Sequence, residues 1–237
     1  EDFNDKVSQF ISILSENGIG VSRSSKKAIL GGPHQTGALE QYLTLEFDEN
    51  KKVMMDVYLE DNDFKIGDNY LSCFSIGNLD ELPSNVYEYV KDPTYSHNKI
   101  LFPMSFTSPL AWGIPFSHIY NQYFFLDDPK QTLSDVEKSG RQQQSFSAVS
   151  RENLINKKFN DDFLNESVSK NLRPIRAAMN IMIWDKNYNT LVKKNSLVAA
   201  KLSELDICVS QTNVITPQIY WAGIPGGESQ YPSEMTF

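Results

Sequence analysis

The stretch from Ile100 to Leu126 contains no Asp, Glu, Lys or Arg. It is longer than the roughly 20 apolar residues that span a bilayer as a helix. Pro103, Pro109 and Pro115 interrupt it, and each removes a backbone donor from any helical ladder. Ser105, Thr107, Ser108, Ser117, His118, Asn121 and Gln122 are interleaved with its apolar residues. The run therefore reads as two short buried strands, near 100–107 and 117–126, joined by a Pro-rich loop. Strands without charge need a core to cover them. With 237 residues, 40% apolar and 12% aromatic, the chain can supply one large core or two small ones.

Hydrophobic spacing locates the remaining elements. Phe3, Val7, Phe10, Ile11 and Leu14 repeat at three and four residues, predicting an amphipathic helix that ends at Asn17-Gly18. Ile19 to Arg23 reads as a short strand, and 24–38 as a loop. Tyr42–Phe47 and Val53–Leu59 read as a hairpin about Asp48-Glu49-Asn50-Lys51. Phe64–Ile76 is a strand region with a turn at Ile66-Gly67-Asp68-Asn69, closed by Asp80-Glu81-Leu82-Pro83; 84–99 reads as irregular. Asp127-Asp128-Pro129 is a helix start, since Asp caps and Pro suits the first turn. A helical region follows to about 169, with a break or exposed portion near Gly140. Ile175–Trp184 is a strand and 188–204 a helix. Asp206–Thr212 and Pro217–Ile224 read as two further strands. The expected class is α+β: a mixed sheet with packed helices, its C-terminal half ordered β-α-β-α-β-β. A division into a strand-rich portion, 1–112, and a β-α-β-α-β-β portion, 113–237, fits this order, as does one compact unit.

The charge balance narrows the function classes. Lys and Arg number 22 against 30 Asp and Glu, for a net charge of −8. That argues against a general nucleic-acid clamp, which draws on clustered cations; Lys157, Lys158, Arg173, Arg176, Lys193 and Lys194 are too dispersed to form one. Cys73 and Cys208 are far apart and lie in apolar runs, so both read as buried free thiols in a reducing compartment. No Walker A loop is present, and Gly31-Gly32-Pro33-His34-Gln35-Thr36-Gly37 lacks the lysine that would follow one. Ile224-Pro225-Gly226-Gly227 reads as a turn. His34, His97 and His118 have no metal-ligand spacing. His118 reads as a hydrogen-bonded, partly buried side chain. Asp127-Asp128 is explained by capping, and Asp161-Asp162 by a solvated helix. No catalytic, cofactor or metal residue is assigned. The polar run Arg141, Gln142, Gln143, Gln144 suits partner recognition, and the aromatic segment with Phe106 and Trp112 is a second candidate contact surface. An alternative is a stand-alone enzyme with a small-molecule site around His118, Tyr120 and Asp127. A third reading is a nucleic-acid-handling module.

Several segments carry a resemblance in order along the chain. They are Ile66-Gly67-Asp68-Asn69, Leu79-Asp80-Glu81-Leu82-Pro83, and His118-Ile119-Tyr120-Asn121-Gln122-Tyr123 with Phe125 and Asp127-Asp128. Ser150-Arg151, Ile155-Asn156-Lys157 and Leu164-Asn165-Glu166 follow. Tyr220-Trp221-Ala222-Gly223-Ile224-Pro225-Gly226 and Tyr231-Pro232 complete the set. Together, over about 60–237, the chain resembles the TraG family of conjugative-transposon ATPases of Bacteroides-type bacteria, within the type IV secretion motor class. The resemblance implies a conjugation ATPase whose motor binds ATP and Mg through a Walker A loop lying beyond the matched region. Both ends of the chain read as cut, so it is expected to be a fragment preceding that motor, with no cofactor of its own. Implied partners are inner-membrane conjugation channel proteins, the motor domain of the same chain and, in the full-length protein, further copies of itself. No direct nucleic-acid contact is expected. The implied location is cytoplasmic, peripheral to the inner membrane.

Overall fold

A ten-residue strand buried on both faces organises the larger part of the molecule. In the computed structural model, which describes residues 2–45, 55–60, 63–77, 81–83, 90–91, 103–104, 107–146, 151–209, 211–212 and 214–236, this strand runs from Arg176 to Asp185. Its interior residues 178–184, from Ala178 to Trp184, are all buried. The chain divides into two units: Glu1–Glu60 with Lys65–Asn69, and Asp61–Phe64 with Tyr70–Phe237. The fold class is α+β, as the sequence order indicates.

The first unit is mainly helical. Its elements are α1 (Phe3–Glu16), α2 (Lys26–Leu30), α3 (Ala38–Thr44) and strand β1 (Val57–Glu60). Asp2 caps α1 by accepting from the Asn4 N–H at 3.2 Å. Arg23 donates to the Asn4 carbonyl and the Ser8 hydroxyl, both at 3.1 Å, so the segment read as a strand at Ile19–Arg23 is instead a non-helical connection tied back to α1. The expected loop over 24–38 contains α2, capped by Ser25. Tyr42–Thr44, read as strand, belong to α3. Glu40 accepts from the Gly37 N–H at 3.0 Å and fixes that helix start. Gly37 has no alternative at this point, since a Cβ there would lie 2.1 Å from the Gly31 nitrogen. Glu46, Phe47 and the Asp48–Lys51 turn lie outside the described residues.

The remaining strands, numbered in chain order, are β2 (Asp63–Ile66), β3 (Asn69–Ile76), β4 (Val90–Lys91), β5 (Pro103–Met104), β6 (His118–Phe125), β7 (Arg176–Asp185) and β8 (Gln211–Thr212). The turn expected at Ile66–Asn69 is present, with Gly67 at φ 57. That positive value suits the first central position of a two-residue hairpin loop. Of the strand expected over 100–107, Pro103–Met104 pair with Val90–Lys91; 100–102, 105 and 106 lie outside the described residues.

In the second unit, β7 pairs antiparallel with β3 on one side (Phe74 opposite Ile181) and with β6 on the other (Tyr120 opposite Ile181). The helices are α4 (Ser108–Trp112), α5 (Pro129–Phe146), α6 (Arg151–Ser169), α7 (Tyr188–Glu204) and α8 (Thr216–Ala222). Two helices between β6 and β7 carry the chain out and back, which is why these neighbours are antiparallel and need no parallel crossover. β7 and β8 both run antiparallel to β3, so they point the same way with β3 between them, and α7 is their connection. Pro217–Ala222, read as part of a last strand, belongs to helix α8. Pro217 sits in its first turn, and Thr216, Ile219 and Tyr220 form its buried face.

The period-two alternation of β3 and β7 separates two faces. Phe74, Ile76, Met179, Ile181 and Ile183 meet Leu191, Val198 and Leu202 of α7, together with Leu110, Ile114 and Ile207. Burying each such side chain stabilises by about 1.5–3 kcal/mol. Asn187 caps α7, accepting from the Thr190 N–H at 3.2 Å. On the opposite face Cys73, Ser75, Asn180 and Tyr123 face the C-terminal segment. There the Tyr231 hydroxyl bonds Ser75 at 2.9 Å, and its ring lies 4.5 Å from Tyr123. Among the described residues no helix is long and apolar enough to cross a membrane.

Candidate functional site

The groups of the enzyme reading are placed by β6 and the residues after it. His118 and Tyr120 are two apart and share a face, opposite Ile183 and Ile181. Both ring nitrogens of His118 lie against backbone carbonyls: Nδ1 at 2.8 Å from Phe116 and Nε2 at 2.9 Å from Ala111. The ring ties the end of α4 to the start of β6, as the hydrogen-bonded reading expects. The Tyr120 hydroxyl donates to the Met179 sulfur at 3.3 Å, and burial raises its pKa. Asp127 lies beyond the far end of the strand. Seven residue steps at about 3.3 Å separate His118 from Phe125 by roughly 23 Å. The three side chains therefore do not converge.

Asp127 is not the cap that its position suggests. Asp128 caps α5, accepting from the Lys130 N–H at 3.0 Å. Asp127 accepts from Arg176 Nε at 2.6 Å and from its terminal nitrogen at 3.3 Å. The hydrogen bonds from Arg176 hold its carboxyl below the usual carboxylate range. Arg176 also donates to Thr236 at 3.1 Å and lies over the Phe125 ring at 5.4 Å. This fork ties β6, β7 and the C-terminal segment at one point. Asp161 and Asp162 are exposed on α6, as expected.

A cleft of about 380 Å³ lies beside β3 and α7, lined in part by Tyr70, Ser72, Tyr188, Leu191, Asn195 and Gln211. Tyr70 and Tyr188 meet edge to face at 5.5 Å. Asn195 Nδ2 donates to Ser72 Oγ at 3.1 Å and to Gln211 Oε1 at 3.2 Å, while Gln211 Nε2 donates to Ser72 Oγ at 3.2 Å. Residues 72, 195 and 211 carry no shared motif, so sequence reading has no signal for this cluster. Its lining holds no charged side chain. The cluster joins α7, β3 and β8 through neutral hydrogen bonds and offers no acid or base.

The candidate contact residues fall on different elements. Arg141 is exposed on α5 and pairs with Glu137 one turn away. Gln142, Gln143 and Gln144 continue that helix, their side chains outside the described residues. Trp112 ends α4 with 59% of its surface exposed, large for an indole and consistent with an available aromatic contact. Phe106 lies outside the described residues. Cys73 is buried, as expected, and burial pushes its thiol up to about 12. Cys208 is exposed, contrary to the expected burial. Its neighbour Ile207 takes the core position, and the Cys208 N–H donates to the Glu81 carbonyl at 3.0 Å. Among the described residues no group of three His, Cys, Asp or Glu could hold a metal. No protein-family model and no curated protein matches the chain.

Proposed function

We propose that this chain is a non-catalytic domain on the N-terminal side of the motor in a TraG-type conjugation ATPase. It docks the motor onto the inner-membrane transfer channel, from the cytoplasm and peripheral to the membrane. One observation supports the reading above others. Two segments of the resemblance that are far apart in sequence, one holding Tyr123 and Phe125 and the other Tyr231, pack together. Tyr123 and Phe125 of β6 meet Tyr231 at 4.5 and 6.1 Å, and Asp127 locks to Arg176. Tyr220, from the Tyr220–Gly226 segment, packs on Phe64 of β2 at 5.5 Å. Aromatic residues of distant segments that pack together suit a scaffold that presents surfaces to partners.

In this reading ATP and Mg belong to the motor, and this domain contributes contacts. Trp112 and the α5 segment from Arg141 to Gln144 are the surfaces assigned to the channel proteins. Alanine at Trp112 with charge reversal at Arg141 is expected to weaken co-purification with channel proteins at unchanged thermal stability. Both side chains are largely exposed, so neither change opens the core. Unaltered association would reject the assigned surface. Saturable ATP binding with turnover by the chain itself would reject the non-catalytic reading.

A further inference from the structure

We propose that α6 mediates a symmetric, antiparallel contact between two copies of this chain, centred on Phe159. The inference stands on α6 alone and holds whether or not the channel-docking reading does. α6 turns one face to α5. On that side Ser167 is 3% exposed and Asn160 lies beside Gly140, where a Cβ would meet it at 3.8 Å. Ile155, Phe159 and Phe163 recur at four-residue spacing on another side, centred about 90° around the helix from the first. They are 46%, 67% and 43% exposed. Three large apolar side chains in a row form a ridge rather than scattered surface residues.

The ridge is its own complement. In an antiparallel pair with its two-fold axis at Phe159, Ile155 of one copy lies level with Phe163 of the other, and Phe159 meets Phe159. A two-fold axis of this kind brings the same flank of both helices together. Lys158 and Asp162 are both exposed on that flank. The register sets Lys158 of each copy within one helical turn of Asp162 of the other, giving two opposite-charge pairs. Glu166 lies level with the other copy's Arg151–Glu152 end, and its charge is already met by Lys170 at 2.7 Å. The three apolar side chains offer about 300 Å² per copy, taking about 200 Å² for a whole aromatic side chain. Two copies bury about 600 Å² through these side chains, below the roughly 1,000 Å² of a stable specific interface. The contact is therefore weak and reversible.

Sedimentation equilibrium of the whole chain, from about 5 to 500 µM, tests this. The expected result is a monomer–dimer equilibrium with dissociation in the tens to hundreds of micromolar. F159D is expected to weaken it at least tenfold with an unchanged circular dichroism spectrum. D162K sets Lys against Lys158 and weakens it, whereas K158D combined with D162K restores the opposite pairs and the dimer. F159C places one thiol on the axis and is expected to give a disulfide-linked dimer on mild oxidation. A monomer throughout the range, a dimer indifferent to F159D, assembly beyond two copies, or no restoration by the double charge swap would each overturn the proposal.

Discussion

Tyr231 is the pin that closes the second face of the sheet, and replacing it separates two contributions. The residue is 5% exposed. Its hydroxyl bonds the Ser75 hydroxyl at 2.9 Å, and Ser75 is 1% exposed. Tyr231→Phe keeps the ring and removes this bond. A neutral buried hydrogen bond contributes about 1 kcal/mol, rising to about 2 when the remaining partner is left unsatisfied. Tyr231→Ala also removes the ring packed at a tilt against Tyr123 and Phe125, an aromatic truncation that costs about 3–5 kcal/mol. Urea unfolding followed by tryptophan fluorescence reads both, since Trp184 lies in the sheet and is 7% exposed. In a unit of this size, each kcal/mol corresponds to about 2–4 °C in Tm. The Phe variant should therefore lose roughly 2–8 °C, and the Ala variant at least about 6 °C. An Ala variant within about 1 kcal/mol of the native chain would show that the C-terminal segment does not close this face. Equal losses for both variants would show that the hydrogen bond, not ring burial, holds it.

Three further outcomes follow from individual side chains. Burial pushes the phenols of Tyr123 and Tyr231 up to about 12, against about 10 in the unfolded chain. The unfolded state therefore loses protons first. These two phenols should leave stability unchanged below about pH 10 and lower it between about 10 and 12, by up to about 1.4 kcal/mol per pH unit for each, with Cys73, raised from about 9 to about 12, adding a fall that begins near pH 9. Tyr231→Phe should flatten that fall, and an unchanged slope would contradict the assignment. A thiol reagent at about pH 8 should label Cys208 in the native chain and reach Cys73 only in denaturant; rapid native labelling of both would show that Cys73 is accessible. Asn187→Ala removes the α7 cap and should cost about 0.5–2 kcal/mol, with Asn187→Asp close to native. Equal destabilisation by both would point away from capping.

The parts of the fold readable from sequence are those where the local hydrophobic pattern is strong. α1 and α7 follow their apolar spacing almost to the residue, and β7 follows an apolar run broken only by the buried Asn180. Gly67 marks its turn because only a positive φ closes so short a loop. Where propensity and context conflict, sequence reading fails. Ile219, Tyr220 and Trp221 favour strands, yet a proline in the first turn and a buried face make them helical. Tyr42–Thr44 are helical because Glu40 fixes the helix start upstream. β8 is only two residues long and exists through its pairing with Cys73 and Phe74, a partner more than 130 positions away in sequence. The Asn195–Ser72–Gln211 cluster is hidden for the same reason. His118 is legible as a hydrogen-bonded side chain, but the carbonyls beside its ring nitrogens, those of Phe116 and Ala111, depend on how α4 packs. Asp127 stands where a cap would, and its true partner, Arg176, lies 49 residues on.

The proposed docking role, with chemistry left to a motor, can be tested on both counts at once. The most direct measurement is capture of detergent-extracted conjugation channel proteins by the purified chain, run beside an ATPase assay of the same preparation. The native chain is expected to retain channel proteins, and to lose them when Trp112→Ala is combined with Arg141→Glu at unchanged Tm. No ATP turnover is expected in either sample. Absence of capture by the native chain, or ATP turnover by the chain alone, would contradict the proposed role.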